Sequence, residues 1–152
     1  MHWFNSIPVF VWLLCFNTGF LQAQAQPENT WVIFSTVKFK PKYISSIDGY
    51  LLHPTFGSSI KKIEGKQIRL KGFVLPLDIG VSNMILLSKY PYRQCFFCGG
   101  AGPETVAEIL FKSRQRKFAA DEVITVEGRL KLNNTDIDHT NFIIEEAEII
   151  KD

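Results

Sequence analysis

Two stretches of this 152-residue chain alternate apolar and polar residues around an internal glycine, and that pattern narrows the possible folds more than any other feature. In the first, Ile68, Leu70, Gly72 and Val74 fall on one face and Gln67, Arg69, Lys71 and Phe73 on the other, before Pro76 ends the run. A period of two gives a strand with a dry and a wet side. A glycine inside it hints at a bulge or sharp bend of the kind small barrels use to close. The second stretch, Val123 to Leu132, carries Gly128 in the same way.

Three shorter runs complete the set. Gly80 to Asn83 reads as a turn, and Met84-Ile85-Leu86-Leu87 as a short, largely buried strand. Glu104 to Phe111 contains helix formers, yet Val106, Ile109 and Phe111 favour a sheet, so it is read as a strand. Lys112 to Ala120 is a basic connection with Phe118 as its only large apolar residue. Asn133 to Asp136 turns the chain, and Phe142 to Ile150 returns as the last strand, its polar face supplied by Glu145, Glu146 and Glu148. Five strands without a long helix predict an all-β protein, a small OB-like antiparallel barrel. An open β-sandwich is the competing arrangement.

Ahead of these strands the pattern is less regular. Gln26 to Thr30 is polar and reads as loose chain, Trp31 to Phe34 is a dense apolar cluster, and Val37 and Phe39 alternate with Lys38 and Lys40 as in a strand that Pro41 limits. From Tyr43 to Ile60, Asp48-Gly49, His53-Pro54 and Phe56-Gly57 are turn signals, so an irregular segment packed on the barrel is expected.

Residues 1–25 read as an export signal. Ile7 to Phe20 is almost wholly apolar but too short for a comfortable membrane span, and Ala23-Gln24-Ala25 supplies a cleavage pattern. The segment before it lacks Lys and Arg, which leaves an uncleaved anchor as the alternative. Lipid attachment at Cys15 is disfavoured because Leu13-Leu14 precede it. Residues 26–152 then form one domain in a periplasmic or secreted protein, with no stable membrane span once the signal is removed. With 17 basic and 15 acidic residues intermixed, the net charge of +2 is not that of a nucleic-acid binder. Lys38, Lys40, Lys42 and Tyr43, with Lys89, Tyr90, Tyr92 and Arg93, mix cations and aromatics, which on strands is most simply a solvated face.

Chemistry concentrates in Cys95-Phe96-Phe97-Cys98-Gly99-Gly100-Ala101-Gly102-Pro103. Two thiols at this spacing can share a soft ion such as zinc or copper(I), close a disulfide, or cycle between the two redox states. For zinc, His139 in the last turn is the better of the two imidazoles as a further ligand, His53 the weaker; a metal-free turn residue is the plain alternative for either. Redox catalysis is disfavoured because the glycine run opposes the helix that would lower a thiol pKa. In an exported chain a static disulfide is as plausible as metal binding. Tyr90, Tyr92, Phe96 and Phe97 are expected to pack the loop onto the barrel. No nucleophile elbow, paired-histidine motif or fixed carboxylate pair asks for an enzyme.

The strings Glu64-Gly65-Lys66, Gly72-Phe73-Val74-Leu75-Pro76-Leu77, Leu86-Leu87-Ser88, Cys95 through Glu104, and Gly128-Arg129-Leu130-Lys131-Leu132-Asn133 resemble a family of small exported bacterial proteins of unknown function. The likeness spans Trp31 to Ile149. It implies export, an OB-like barrel and a link to metal handling or envelope transport. Related branches carry one cysteine, a nearby histidine and a proline-rich run in this loop, where this chain has Cys98 and glycines. The resulting expectation is a non-enzymatic binding or accessory protein handling zinc or copper through Cys95, Cys98 and His139. Its rivals are an envelope partner-binding module with a structural disulfide, and a thiol-disulfide redox protein.

Overall fold

The computed structural model describes residues 27–76 and 83–151, with side chains from Thr30 onward. The expected signal, Cys15 and most of the Gly80 to Asn83 turn lie outside the described residues. Among the described residues no helix is long and apolar enough to cross a membrane.

All five expected barrel strands form: β3 (Gln67–Val74), β4 (Met84–Ser88), β5 (Val106–Phe111), β6 (Val123–Leu132) and β7 (Phe142–Ile150). They follow two earlier strands, β1 (Lys38–Ile44) and β2 (Gly49–Thr55). The barrel closes in the order β3-β4-β5-β7-β6, with β6 returning to β3. Four of its pairings are antiparallel, but β5 and β7 run parallel. The barrel is therefore mixed rather than purely antiparallel, because the chain crosses over from β5 to β6 before β7 fits between them. That order is the one that identifies an OB-type Greek-key barrel.

The alternation in β3 holds residue by residue: Ile68, Leu70, Gly72 and Val74 are buried. Gly72, however, is not a bulge, since its pairing with Ile124 is in register. It is a close approach, where an added Cβ would stand 2.5 Å from the Ser88 carbonyl oxygen and 3.0 Å from Leu87 Cγ. The bulge lies in β7, where Glu146 and Ala147 oppose Gly128 alone and Glu146 takes a φ of +51°. An extra residue of this kind sharpens local twist. Glu145, Glu146 and Glu148 supply the polar face as expected, paired with Lys131, Arg129 and Lys112.

The N-terminal part departs from expectation in two places. Pro27–Phe34 is a helix, α1, rather than loose chain leading into an apolar cluster. Its reason is tertiary. The carbonyl of Lys66, immediately before β3, accepts from Leu130 of β6, so odd-numbered carbonyls face β4, yet β4 pairs only with Phe73 and Val74 of β3. Two of those carbonyls are met by α1, with Thr30 Oγ1 donating to Arg69 O at 2.8 Å and Trp31 Nε1 to Lys71 O at 2.7 Å. Phe34 then enters the barrel core and stacks on Phe142 at 4.1 Å.

The segment expected to be irregular is a hairpin. β1 and β2 pair through seven register positions, Lys38 with Thr55 to Ile44 with Gly49, and form a sheet of their own. Asp48-Gly49 does turn the chain, but Pro41 lies inside β1 rather than ending it. It can do so because, among the described residues, β1 pairs on one side only, and an edge strand tolerates a missing donor. A short helix, α2 (Ser58–Lys61), follows and buries Ile60.

Candidate functional site

Side chains of β4 and β5 divide between two destinations. Leu87, Ala107, Ile109 and Phe111 point into the barrel, whereas Leu86, Val106 and Glu108 lie on the opposite side of the strands. Those three, with Met84, form the floor of a groove of about 690 Å³ outside the barrel. The hairpin forms one wall through Lys42, Ile44 and Tyr50 to Pro54. The connection from β6 to β7, Asn134 to Asn141, forms another, and Phe96, Phe97 and Pro103 of the cysteine loop complete it.

The cysteine loop is held by its backbone. Cys95 N donates to Tyr92 O and Cys98 N to Cys95 O, each at 3.2 Å, and Gly100 N returns to Cys95 O at 3.2 Å. Gly100 lies so close to Gln94 that a Cβ would meet its carbonyl oxygen at 2.8 Å, so only glycine lets this turn close. Asp121 Oδ1 accepts from Tyr92 N at 2.6 Å and ties the loop to the start of β6.

Both cysteines are free thiols, in unequal settings. Cys95 is 0% exposed, packed with Leu75, Leu86, Val106 and Phe96, whereas Cys98 faces solvent. Desolvation, a hydrogen bond with Cys95 and the charge of Cys95 together raise the Cys98 pKa above its ordinary value. A single 3-10 turn, Phe96–Cys98, follows Cys95, and Gly99 ends it at φ +75°. The dipole of a full helix, which lowers a catalytic thiol pKa, does not act here.

His139 joins a different partner. Its Nδ1 lies 2.8 and 3.0 Å from the two carboxylate oxygens of Glu108, and its Nε2 lies 3.9 Å from Asp136 Oδ2. Glu108 above all, through its hydrogen bond and charge, with help from Asp136 and Asp138, raises the His139 pKa. His139 lines the groove together with Phe96, Phe97 and His53. Among the described residues no three His, Cys, Asp or Glu side chains are grouped so as to hold a metal ion. Cys95 and Cys98 are brought together; His139 is engaged by Glu108.

Glu108 is the residue that sequence reasoning passed over. It is 2% exposed, and its backbone N–H donates to Thr140 Oγ1 at 3.1 Å while its carboxylate faces His139 and Thr140 N. A single carboxylate among Val106, Ala107, Ile109 and Leu110 was the available signal, because a buried charge needs a partner. Asn133 holds the same loop from its other end, with Nδ2 donating to the carbonyls of Asp136, His139 and Thr140 and Oδ1 accepting from Thr135 N and Asp136 N. That wall is therefore fixed before any ligand arrives. In the segment expected to pack on the barrel, Tyr50 is 72% and Leu52 46% exposed.

Fold and groove define an OB-type barrel with an apolar cleft on the outer face of its second and third strands. That face is the one OB barrels use for ligands. No protein-family model matches the chain, and no curated protein does. The structure is similar to the crystal structure of a DUF3299 family protein from Pseudomonas aeruginosa PAO1, at 15% identity over 64% of this chain and 68% of that one, with a TM-score of 0.46.

Proposed function

We propose that the protein is a non-enzymatic binding module that accepts an extended, apolar peptide segment of an exported or envelope partner in this groove. The observation that carries the reading is the free edge of β2. Tyr50, Leu51, Leu52, His53 and Pro54 are consecutive and alternate in direction, so all five can line one cleft only where the edge of the strand borders it. Among the described residues β2 pairs with β1 alone, which leaves that edge to accept a strand while Leu86, Val106 and Phe97 receive alternate side chains. The volume lies within the ~300–1,000 Å³ common for ligand sites.

The thiols fit some metals and not others. Tetrahedral zinc asks for four donors, and the pair supplies two with no third grouped beside them among the described residues. Two adjacent thiolates suit a soft ion of low coordination such as copper(I), which is the second reading. Stoichiometric copper(I) binding that disappears in Cys95→Ser/Cys98→Ser supports it. Thiol-disulfide catalysis is disfavoured by the raised Cys98 pKa, which leaves little thiolate near neutral pH.

Titrating labelled protein with hexapeptides of alternating valine and threonine tests the main reading by NMR. Amide shifts concentrated at residues 50–53, lost in Leu52→Asp, are expected. Shifts confined to β1 or to the far side of the barrel overturn it.

A further inference from the structure

We propose that Cys95 and Cys98 form a reversible disulfide that sets the shape of the groove, so that ligand binding responds to the thiol-disulfide balance outside the protein. The inference rests on the groove reading and adds its regulation. Phe96 and Phe97 are the two residues enclosed between the sulfurs, and both line the groove. Their rings contact each other edge to face at 5.3 Å, so moving one displaces the other. Cys95 belongs to the same packed cluster as Leu86 and Val106, which line the groove.

Geometry favours closure of the ring. The Cys98 N–H to Cys95 carbonyl bond folds the four residues into a turn that keeps both thiols on one short loop. A disulfide needs a sulfur separation of about 2.05 Å and Cα atoms within about 4.4–6.8 Å, and a four-residue turn meets the second condition. Cys95 is fixed in a packed cluster while Cys98 is exposed, so bond formation draws Cys98 inward. The exposed Phe97 next to it is re-aimed, and the Phe96–Phe97 wall moves with it.

The chemistry balances with a small-molecule disulfide as oxidant. Exposed Cys98, as thiolate, attacks one sulfur of oxidised glutathione, forming a mixed disulfide and releasing one glutathione thiolate. Cys95 then attacks Cys98 Sγ and releases the second. Two protein thiols are oxidised by two electrons, one external disulfide is reduced to two thiols, and the two thiol protons pass to the released glutathione. The unequal burial assigns Cys98 to first attack, and its raised pKa makes that attack slow at neutral pH and faster as pH rises. Such a pair suits a sensor that equilibrates rather than a catalyst that turns over.

The test equilibrates the full chain with glutathione redox buffers, maps disulfides by peptide mass, and follows the amide and ring resonances of Phe97, Leu86 and Val106. Reversible Cys95–Cys98 pairing with shifts at all three residues, and a several-fold change in affinity for the dye 8-anilinonaphthalene-1-sulfonate, is expected. In Cys95→Ser and Cys98→Ser neither change should follow addition of oxidant. If no Cys95–Cys98 disulfide forms, or if it forms and those resonances stay in place, the regulatory proposal fails. Dye binding in Leu52→Asp separates the two ideas: equal affinity for both redox states, with loss in Leu52→Asp, removes the regulation and leaves the groove.

Discussion

The inner and outer faces of β4 and β5 are built from alternate residues of the same two strands, yet they are finished to different degrees. Inside, Leu87, Ala107, Ile109 and Phe111 meet Phe34, Phe142 and Ile144 in one cluster that the chain closes by itself. Outside, Leu86 and Val106 share a smaller cluster with Cys95, Leu75 and Phe96, bordering a groove lined also by exposed Leu52 and Phe97. A strand offers two faces by geometry alone. One secures the fold, and the other is left for something beyond the fold to complete.

Substitutions on the two faces should therefore separate stability from binding. Phe142→Ala removes a fully buried ring that stacks on Phe34, and chemical denaturation should show a loss of about 3–5 kcal/mol. Gly72→Ala places a methyl against the Ser88 carbonyl and Leu87, where β3 and β4 touch, and should cost roughly 1–3 kcal/mol by the same measurement. A smaller loss there would mean that β4 can move away from β3 without disturbing the core.

Glu108 lies on the outer face, and its effect should follow pH. The His139 pKa is raised in the folded protein, so the bond to Glu108 contributes stability fully below the unfolded histidine value of about 6.5 and loses it as pH rises through the folded value. An NMR titration should place the His139 midpoint above 6.5 in the native chain and lower in Glu108→Gln. An unchanged midpoint would detach Glu108 from the loop. At the small end, Leu52→Asp should change stability by no more than about 0.5 kcal/mol while removing peptide and dye binding. A large loss of stability would show that the hairpin belongs to the core after all.

The barrel was legible because its signal is local. Ile68, Leu70 and Val74, or Ile124, Val126 and Leu130, declare their face through a two-residue period that no distant contact alters. The choice of strand over helix for β5 rested on Val106, Ile109 and Phe111 and held in the structure. The cysteine turn was visible for a similar reason, since its glycines are dictated by the backbone of their own loop. Helix α1 was not legible: Trp31-Val32-Ile33-Phe34 shows only as an apolar cluster, and Thr30 and Trp31 meet carbonyls 39 and 40 positions away. Glu108 escaped for the same cause, as its partner His139 lies 31 residues along the chain.

By itself the order of residues determined the five barrel strands, which of their faces are dry and where two thiols lie within one turn, because each depends on neighbours a few positions apart. The parallel pairing of β5 with β7, the helix laid along the open part of β3, the hairpin raised beside the barrel and the groove between them were decided only when distant segments packed. Unpaired carbonyls and uncovered apolar side chains take whatever partner the assembled chain brings within reach, and that choice is made in three dimensions.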